Sequence, residues 1–171
     1  MKSILRKKYI HIRKNISNKL DKSLIIKDKV LSLLDKYQVI GVYASMDDEV
    51  STDELIIELL NQSKIVVLPK IEGDVINFYQ ISSLDELKAN GRYNIREPIG
   101  HNKPINALQA IIVPGICFDM NGYRLGFGRA YYDKYLKDKD IFKIGICFKE
   151  LLVDSLPIDE WDVKMDVVVT D

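Results

Sequence analysis

Apolar positions along the chain change spacing repeatedly, and those changes mark out alternating elements. Residues 2–14 and roughly 17–36 predict two helices. In the second, Leu20, Leu24, Ile26, Val30, Leu31 and Leu34 recur at near-helical spacing, and Ser17 stands where an N-cap is wanted. Val39 to Tyr43 reads as a short apolar strand with Gly41 inside it. Thr52 is the expected cap of a third helix, whose first turn carries Asp53 and Glu54, favourable against the helix dipole. Leu55, Ile56, Leu59 and Leu60 form its apolar face.

Ile65–Leu68 and Val75–Ile81 follow as strands, then a short helix near Ser83–Leu87. A polar segment with Pro98 and Pro104 leads to another apolar strand, Ala110–Val113. A turn-rich loop spans Pro114 to Gly128, a helix covers about 130–138, and strands Phe142–Cys147 and Val167–Thr170 close the pattern. Most strands are continuous β-branched runs, which fits strands covered on both faces. The predicted fold class is therefore α/β: a three-layer sandwich with a mainly parallel central sheet and helices on both faces. With 171 residues, 47% of them hydrophobic, and neither repeat nor linker, residues 1–171 are expected to form one domain.

Charge adds a local signal to a neutral whole. The 25 basic and 25 acidic residues cancel, which excludes bulk electrostatic attraction to nucleic acid or membrane. The first 22 residues, however, hold eight Lys or Arg and one acid, Asp21. That run reads as a solvated helix face, a nucleic-acid arm or part of an ATP site. Cys117 and Cys147 each lie in Gly-Ile-Cys-Phe, as expected of buried free thiols in a reducing compartment. Neither has a second Cys or a His at ligand spacing. No apolar stretch approaches the roughly 18 residues needed to cross a bilayer. Tyr9, His11 and Arg13 interrupt any signal-peptide core, so a cytoplasmic protein is expected. His11 and His101 lack sequence partners and are expected at the surface or in structural roles.

Two strand-end loops carry unusual polar chemistry, and ligands of open α/β sheets bind at such ends. One is Ala44 to Thr52, with Ser45, Asp47, Asp48 and Glu49; the other runs from Pro114 through Asp119 to Asp133. In the second, Gly126 and Gly128 precede a predicted helix start, where backbone N–H groups converge on an anion. Arg124 and Arg129 supply positive charge for phosphate oxygens, and Asp133 a carboxylate for Mg2+ opposite them. The segment is neither a Walker A loop nor a dinucleotide fingerprint, since Tyr131 stands where a third glycine belongs. On pattern alone it reads equally as a Gly-rich turn with surface arginines and a core aromatic pair.

Arg124-Leu125-Gly126-Phe127-Gly128-Arg129-Ala130-Tyr131-Tyr132-Asp133, preceded by Val113-Pro114-Gly115 and Phe118-Asp119, resembles the signature of the 5-formyltetrahydrofolate cyclo-ligase family. Further similar pieces occur in the same order. They are Lys2-x-x-Leu5-Arg6, Ser45-x-x-Asp48-Glu49-x-x-Thr52, Ile95-Arg96-Glu97-Pro98, and Leu156-Pro157 followed by Asp162 and Asp166. The similarity spans nearly the whole chain.

The resemblance implies an ATP- and Mg2+-dependent enzyme that converts 5-formyltetrahydrofolate to 5,10-methenyltetrahydrofolate as a monomer. Its partners would be small molecules only, with no nucleic acid and no membrane. Lys2, Ser3, Ile4, Leu5 and Arg6 would touch ATP, with Arg124, Leu125, Gly126, Phe127, Gly128, Arg129, Ala130, Tyr131 and Tyr132 forming the rest of the nucleotide site. Ala44, Glu49 and Phe127 to Tyr131 would line the folate site; Asp133 and Asp162 would serve Mg2+. Arg124, Arg129 and Tyr131 would act in catalysis. The bland alternatives are a helix-start carboxylate for Glu49, a turn cap for Asp162, and core filling for Trp161 and the tyrosine pair.

Three positions depart from the family pattern: Arg129 replaces lysine or glycine, Ala130 replaces glycine, and Trp161 stands where many members have histidine. An L-residue in the left-handed region costs roughly 1–2 kcal/mol. Ala130 is therefore expected to take a helical backbone and to begin the helix that carries Asp133. The rival readings are a nucleic-acid-binding module led by the basic helix, and a relative that binds ATP but has lost the activity.

Overall fold

The computed structural model describes residues 1–100 and 102–171; His101, expected in a surface or structural role, lies outside the described residues. Two helices lead, α1 (Lys2–Lys14) and α2 (Lys19–Leu34), then strand β1 (Val39–Gly41), helix α3 (Asp53–Asn61) and strands β2 (Ile65–Glu72) and β3 (Val75–Ile81). Strands β4 (Leu87–Asn90), β5 (Ile95–Pro98), β6 (Ala110–Val113), β7 (Cys117–Asp119) and β8 (Arg124–Leu125) come next. Helix α4 (Tyr131–Leu136) and strands β9 (Phe142–Ile146), β10 (Leu152–Val153) and β11 (Val167–Val169) complete the chain.

Six strands form the central sheet in the order β11-β9-β6-β1-β2-β3, parallel except for the edge pair β2–β3. Ile40 of β1 stands between Val66 and Ala110. All four residues of β6 are buried, as a strand covered on both faces requires. The chain moves from β1 to β2 in one direction and from β6 to β9 in the other. Right-handed crossovers on such paths put α3 and α4 on opposite faces. The α/β class with a mainly parallel sheet is thus borne out. Phe118 fills the core beneath the site so closely that a Cβ added at Gly145 would lie 2.4 Å from its ring.

Several local expectations change. Helix α2 starts at Lys19, and its N-cap is Asn18, in the left-handed region and without a side-chain cap bond; Ser17 stays outside. Its buried face is Ser23, Ile26, Val30 and Leu34, whereas Leu20 and Leu24 are exposed. The 3-4-4 spacing of that buried set is the true helical stripe, and Ser23 hides in it because its hydroxyl bonds the Lys19 carbonyl at 2.6 Å. Thr52 does occupy the N-cap of α3, but its hydroxyl donates to the Tyr43 carbonyl at 2.6 Å instead of capping the helix. Ser83–Leu87 shortens to a 3-10 turn at Leu84–Glu86. Helix α4 has 6 residues, shorter than the predicted 130–138. Residues 87–98 add a polar hairpin, β4–β5, that hydrophobic spacing does not signal, because its exposed residues show neither helical nor strand-core periodicity.

Candidate active site

Strand order reverses direction between β1 and β6, which are directly paired. That switch point opens a crevice at the carboxyl ends of both strands. The two loops singled out in the sequence leave the sheet there, one after β1 and one after β6.

The first loop is tied shut by local hydrogen bonds. Ser45 N donates to Thr52 Oγ1 at 3.2 Å, and Thr52 N to Ser45 Oγ at 3.1 Å. Ala44 is buried at the strand end. Glu49 Oε2 accepts from the Met46 amide at 2.8 Å, and its carboxylate is almost wholly buried. Burial pushes the Glu49 carboxyl up to about 7, against the lowering effect of the Met46 amide and of Arg13, with Asp48 adding to the rise. Arg13, reaching over from α1, is itself buried. Its Nε and Nη2 donate to Asp48 at 3.0 to 3.2 Å, and its Nη1 lies 3.7 Å from Glu49 Oε1. Arg96 of β5 donates to Asp53 at 2.7 and 3.2 Å and to the Ser45 carbonyl at 3.2 Å, which locks the hairpin against this loop.

Asp119 organises the second loop. Oδ1 accepts from the amides of Asn121 and Tyr123 at 3.0 and 2.9 Å, while Oδ2 accepts from Leu156 N at 2.9 Å. This joins the loop to the segment containing Leu156-Pro157. Arg124 is buried; its Nη2 donates to Asp133 Oδ2 at 2.9 Å and its guanidinium lies 5.6 Å from the Tyr132 ring centre. A Cβ at Gly126 would meet Arg124 Nη1 at 2.7 Å, so glycine lets the loop lie directly over that guanidinium without displacing it. Arg6 Nε donates to the Gly126 carbonyl at 2.7 Å and packs beside Gly128, whose φ is +96°. Phe127 is exposed, yet its ring centre lies 5.6 Å from the Arg13 guanidinium carbon. Arg129 points to solvent and forms no ion pair among the described residues.

Ala130 overturns the expectation made for it. Its backbone sits at φ 55°, ψ 22°, in the left-handed region, as N-cap of α4 and not within the first helical turn. Neighbouring Gly128 and the buried Arg124–Asp133 pair fix both ends of the turn, which over-determines the strained residue between them. A helix as short as α4 adds little dipole, so any anion held here depends on loop N–H groups and the cations.

Lys2 donates to Asp159 and Asp162, both at 2.6 Å. Although burial lowers the Lys2 ammonium, those two hydrogen bonds outweigh it and raise the group above its ordinary value. Asp133 and Asp162 are neighbours in space, since Asp133 Oδ1 accepts from Val163 N at 3.1 Å. Both oxygens of Asp133 are thus engaged by protein donors. Asp162 Oδ2 accepts from Lys2 and from Asp159 N at 2.8 Å, while its Oδ1 accepts nothing from the described residues. Among the described residues no three His, Cys, Asp or Glu side chains cluster as a protein-only metal cage. Mg2+ needs only one or two carboxylates beside phosphate and water. Asp162 fits that demand; Asp133 meets it only by releasing Arg124 or Val163.

The residues named from sequence are therefore brought into one neighbourhood, linked from Lys2 through Asp162, Asp133, Arg124 and Gly126 to Arg6, and from Phe127 to Glu49. Ser3 and Ile4 lie on the exposed side of α1, and Leu5 packs against the core. Tyr131 and Tyr132 are partly buried at the start of α4, and Leu125 is buried beneath the loop. Trp161 is exposed, which removes core filling as its role. His11 is also exposed. Sequence reasoning missed Arg13, its pairing with Asp48 and the organising role of Asp119; a single arginine in a basic helix gives no sign that it will be buried. Cys117 and Cys147 are free and buried, with burial pushing the Cys117 thiol up to about 12.

Residues 1–171 match the model of the 5-formyltetrahydrofolate cyclo-ligase family. The 5-formyltetrahydrofolate cyclo-ligase of Mus musculus is 31% identical over 169 residues, which cover 88% of this chain and 83% of that one. The protein of the same name from Escherichia coli strain K12 is 33% identical over 141 residues, 77% of this chain and 76% of its own. Among solved structures, the NMR structure of Aquifex aeolicus 5,10-methenyltetrahydrofolate synthetase superposes with a TM-score of 0.86 at 36% identity, covering 99% of this chain and 89% of that chain.

Proposed function

Because the chain belongs to the 5-formyltetrahydrofolate cyclo-ligase family, we propose that it converts 5-formyltetrahydrofolate and ATP to 5,10-methenyltetrahydrofolate, ADP and phosphate. The observation that carries this reading is one junction. Arg6 of α1 grips the Gly126 carbonyl of the glycine loop, beside the exposed Arg129 and the buried Glu49 loop, at the switch point of the sheet. The reading needs one chain, 1–171 acting as a single domain, and places it in the cytoplasm as a monomer. No helix of the described residues is long and apolar enough to cross a membrane.

In the first step the formyl oxygen attacks the γ-phosphorus and ADP leaves. Nitrogen 10 then attacks the activated carbon, loses its proton, and the carbon–oxygen bond breaks to release phosphate. Such transfers ask for positioning and neutralised charge more than for a protein nucleophile. Arg129 and the backbone N–H groups around Gly128 face the phosphates, Arg124 supports the loop from beneath, and Tyr131 flanks the transferring group. Glu49 and Ala44 receive the folate. Lys2 orients Asp162, which would hold Mg2+; when bound, that ion spreads the phosphate charge.

The nucleic-acid reading is disfavoured by one feature. Lys2, Arg6 and Arg13 of the basic helix turn inward to protein carboxylates and a carbonyl, and are not displayed as a free stripe. Incubation with 5-formyltetrahydrofolate, Mg2+ and ATP should give an ATP-dependent rise in the near-ultraviolet absorbance of the methenyl product. No rise, with ATP still bound, would identify a relative that has lost the activity.

A further inference from the structure

Arg13 has no part in the reading just given, yet it is the most buried cation in the neighbourhood, with 3% of its surface exposed. Three of its nitrogens are accounted for unequally. Nε and Nη2 are spent on Asp48, whereas Nη1 is buried and has no hydrogen-bond partner. A guanidinium N–H left unpaired in a buried place is costly and calls for a partner. Arg13 also lines a cavity of about 10 Å3, room for a single water, together with Glu49, Tyr43, Val50, Gly115 and Cys147. Glu49 Oε1 stands 3.7 Å from Nη1, beyond direct hydrogen bonding but within reach of one bridging oxygen. The Phe127 ring lies over the same guanidinium.

We infer that Arg13 is a positioning residue of the folate site, orienting the Glu49 carboxylate through its free Nη1 and a bridging oxygen. This rests on the proposed folate chemistry. Among the described residues no other cation acts on Glu49. The ionisable groups facing Glu49 are Arg13 from α1, Asp48 of its own loop, Tyr43 at the end of β1 and Tyr132 of α4, and Arg13 alone favours the negative form. The bidentate grip of Asp48 on Nε and Nη2 fixes the guanidinium and leaves Nη1 as the nitrogen nearest Glu49. Lysine could supply charge here, but not a fork that binds Asp48 and Glu49 together.

The test measures binding of 5-formyltetrahydrofolate by calorimetry, and the Michaelis constants for folate and ATP, in wild type, Arg13→Lys and Arg13→Gln. Arg13→Lys should weaken folate binding about tenfold and leave the ATP constant within about twofold. Arg13→Gln should do the same and also move the acid limb of kcat/KM for folate to higher pH, because Glu49 loses its only favourable charge. Folate binding within about twofold of wild type in Arg13→Lys overturns the inference, as do equal losses for folate and ATP. Should Arg13→Gln fail to fold, Arg13→Lys decides alone. Wild type that binds folate without turnover defeats the proposed reaction and leaves the Arg13 test intact; wild type that binds no folate defeats both.

Discussion

Arg124 and Asp133 face one another beneath the glycine loop, Nη2 donating to Oδ2 at 2.9 Å while the other carboxylate oxygen accepts from the Val163 amide at 3.1 Å. The pair is largely sealed from water, with 7% and 11% of the two side chains exposed. Asp133 therefore joins three segments: the strand before the glycine loop, the helix after it and the chain around Asp162. Its geometry supports a structural duty whether or not it also meets a metal.

That duty makes Asp133→Asn a sharper experiment than loss of activity alone. An amide keeps one acceptor oxygen and turns an NH2 towards either Arg124 or the Val163 N–H, and a buried guanidinium loses its counter-charge. Removing one partner of a buried pair costs about 3–5 kcal/mol. The variant should melt well below wild type with no ligand present, besides losing turnover. An unchanged melting temperature, with activity restored by excess Mg2+, would show that Asp133 acts as a metal ligand only.

Arg129 should behave in the opposite way. It is exposed and unpaired among the described residues, so Arg129→Ala should leave stability within about 0.5 kcal/mol of wild type. Turnover should fall more than affinity if the guanidinium acts on the phosphoryl group in the transition state. Arg129→Lys should be partly active. An effect confined to the folate Michaelis constant would place Arg129 on the folate side.

How far the sequence carried these conclusions can be read from individual residues. Continuous β-branched runs such as Ala110–Val113 mark a strand buried on both faces, and the β/α alternation follows from them. The glycine loop was legible because Gly126 and Gly128 sit among arginines just before a helix. What failed was whatever depends on tertiary partners. Leu20 and Leu24 suit a helical stripe by spacing, but the sheet lies on the other side of α2, where Ser23 is buried. Arg13 belongs by composition to a solvated basic face, and only the docking of α1 against Asp48 and Glu49 makes it a core cation. Ala130 follows the same logic, since local strain argues against the left-handed region and the surrounding contacts impose it.

Ala130→Gly now carries the reverse of the sequence expectation. Glycine in the left-handed region escapes roughly 1–2 kcal/mol of backbone strain. It also gives the unfolded chain more freedom, which takes back about 0.5–1 kcal/mol. The variant should therefore be more stable towards urea by up to about 1.5 kcal/mol. Because the loop's N–H groups keep their directions, the ATP Michaelis constant should change little. A variant destabilised in urea would mean that Ala130 is not held at φ 55° in solution.

Glu49 links stability to pH with a sign opposite to that of most carboxylates. Its folded-state value of about 7 lies above the ordinary 4.5. Between these values the folded protein holds a proton that the unfolded chain has released, so stability from this group is fully present below pH 4.5 and lost as pH rises to about 7. The loss is on the order of 3 kcal/mol. Glu49→Gln carries no charge at any pH and should remove this dependence. The substituted protein should be more stable than wild type at pH 8, and the advantage should shrink as the pH falls towards 5, where wild type has regained its proton. Function runs the other way: if the folate needs the charged carboxylate, wild-type folate affinity should rise as pH passes through 7, and Glu49→Gln should bind weakly at every pH. Thermal melts of both proteins between pH 5 and 8 measure the difference directly. A gap in melting temperature that stays constant across that range would show that the carboxylate does not titrate there.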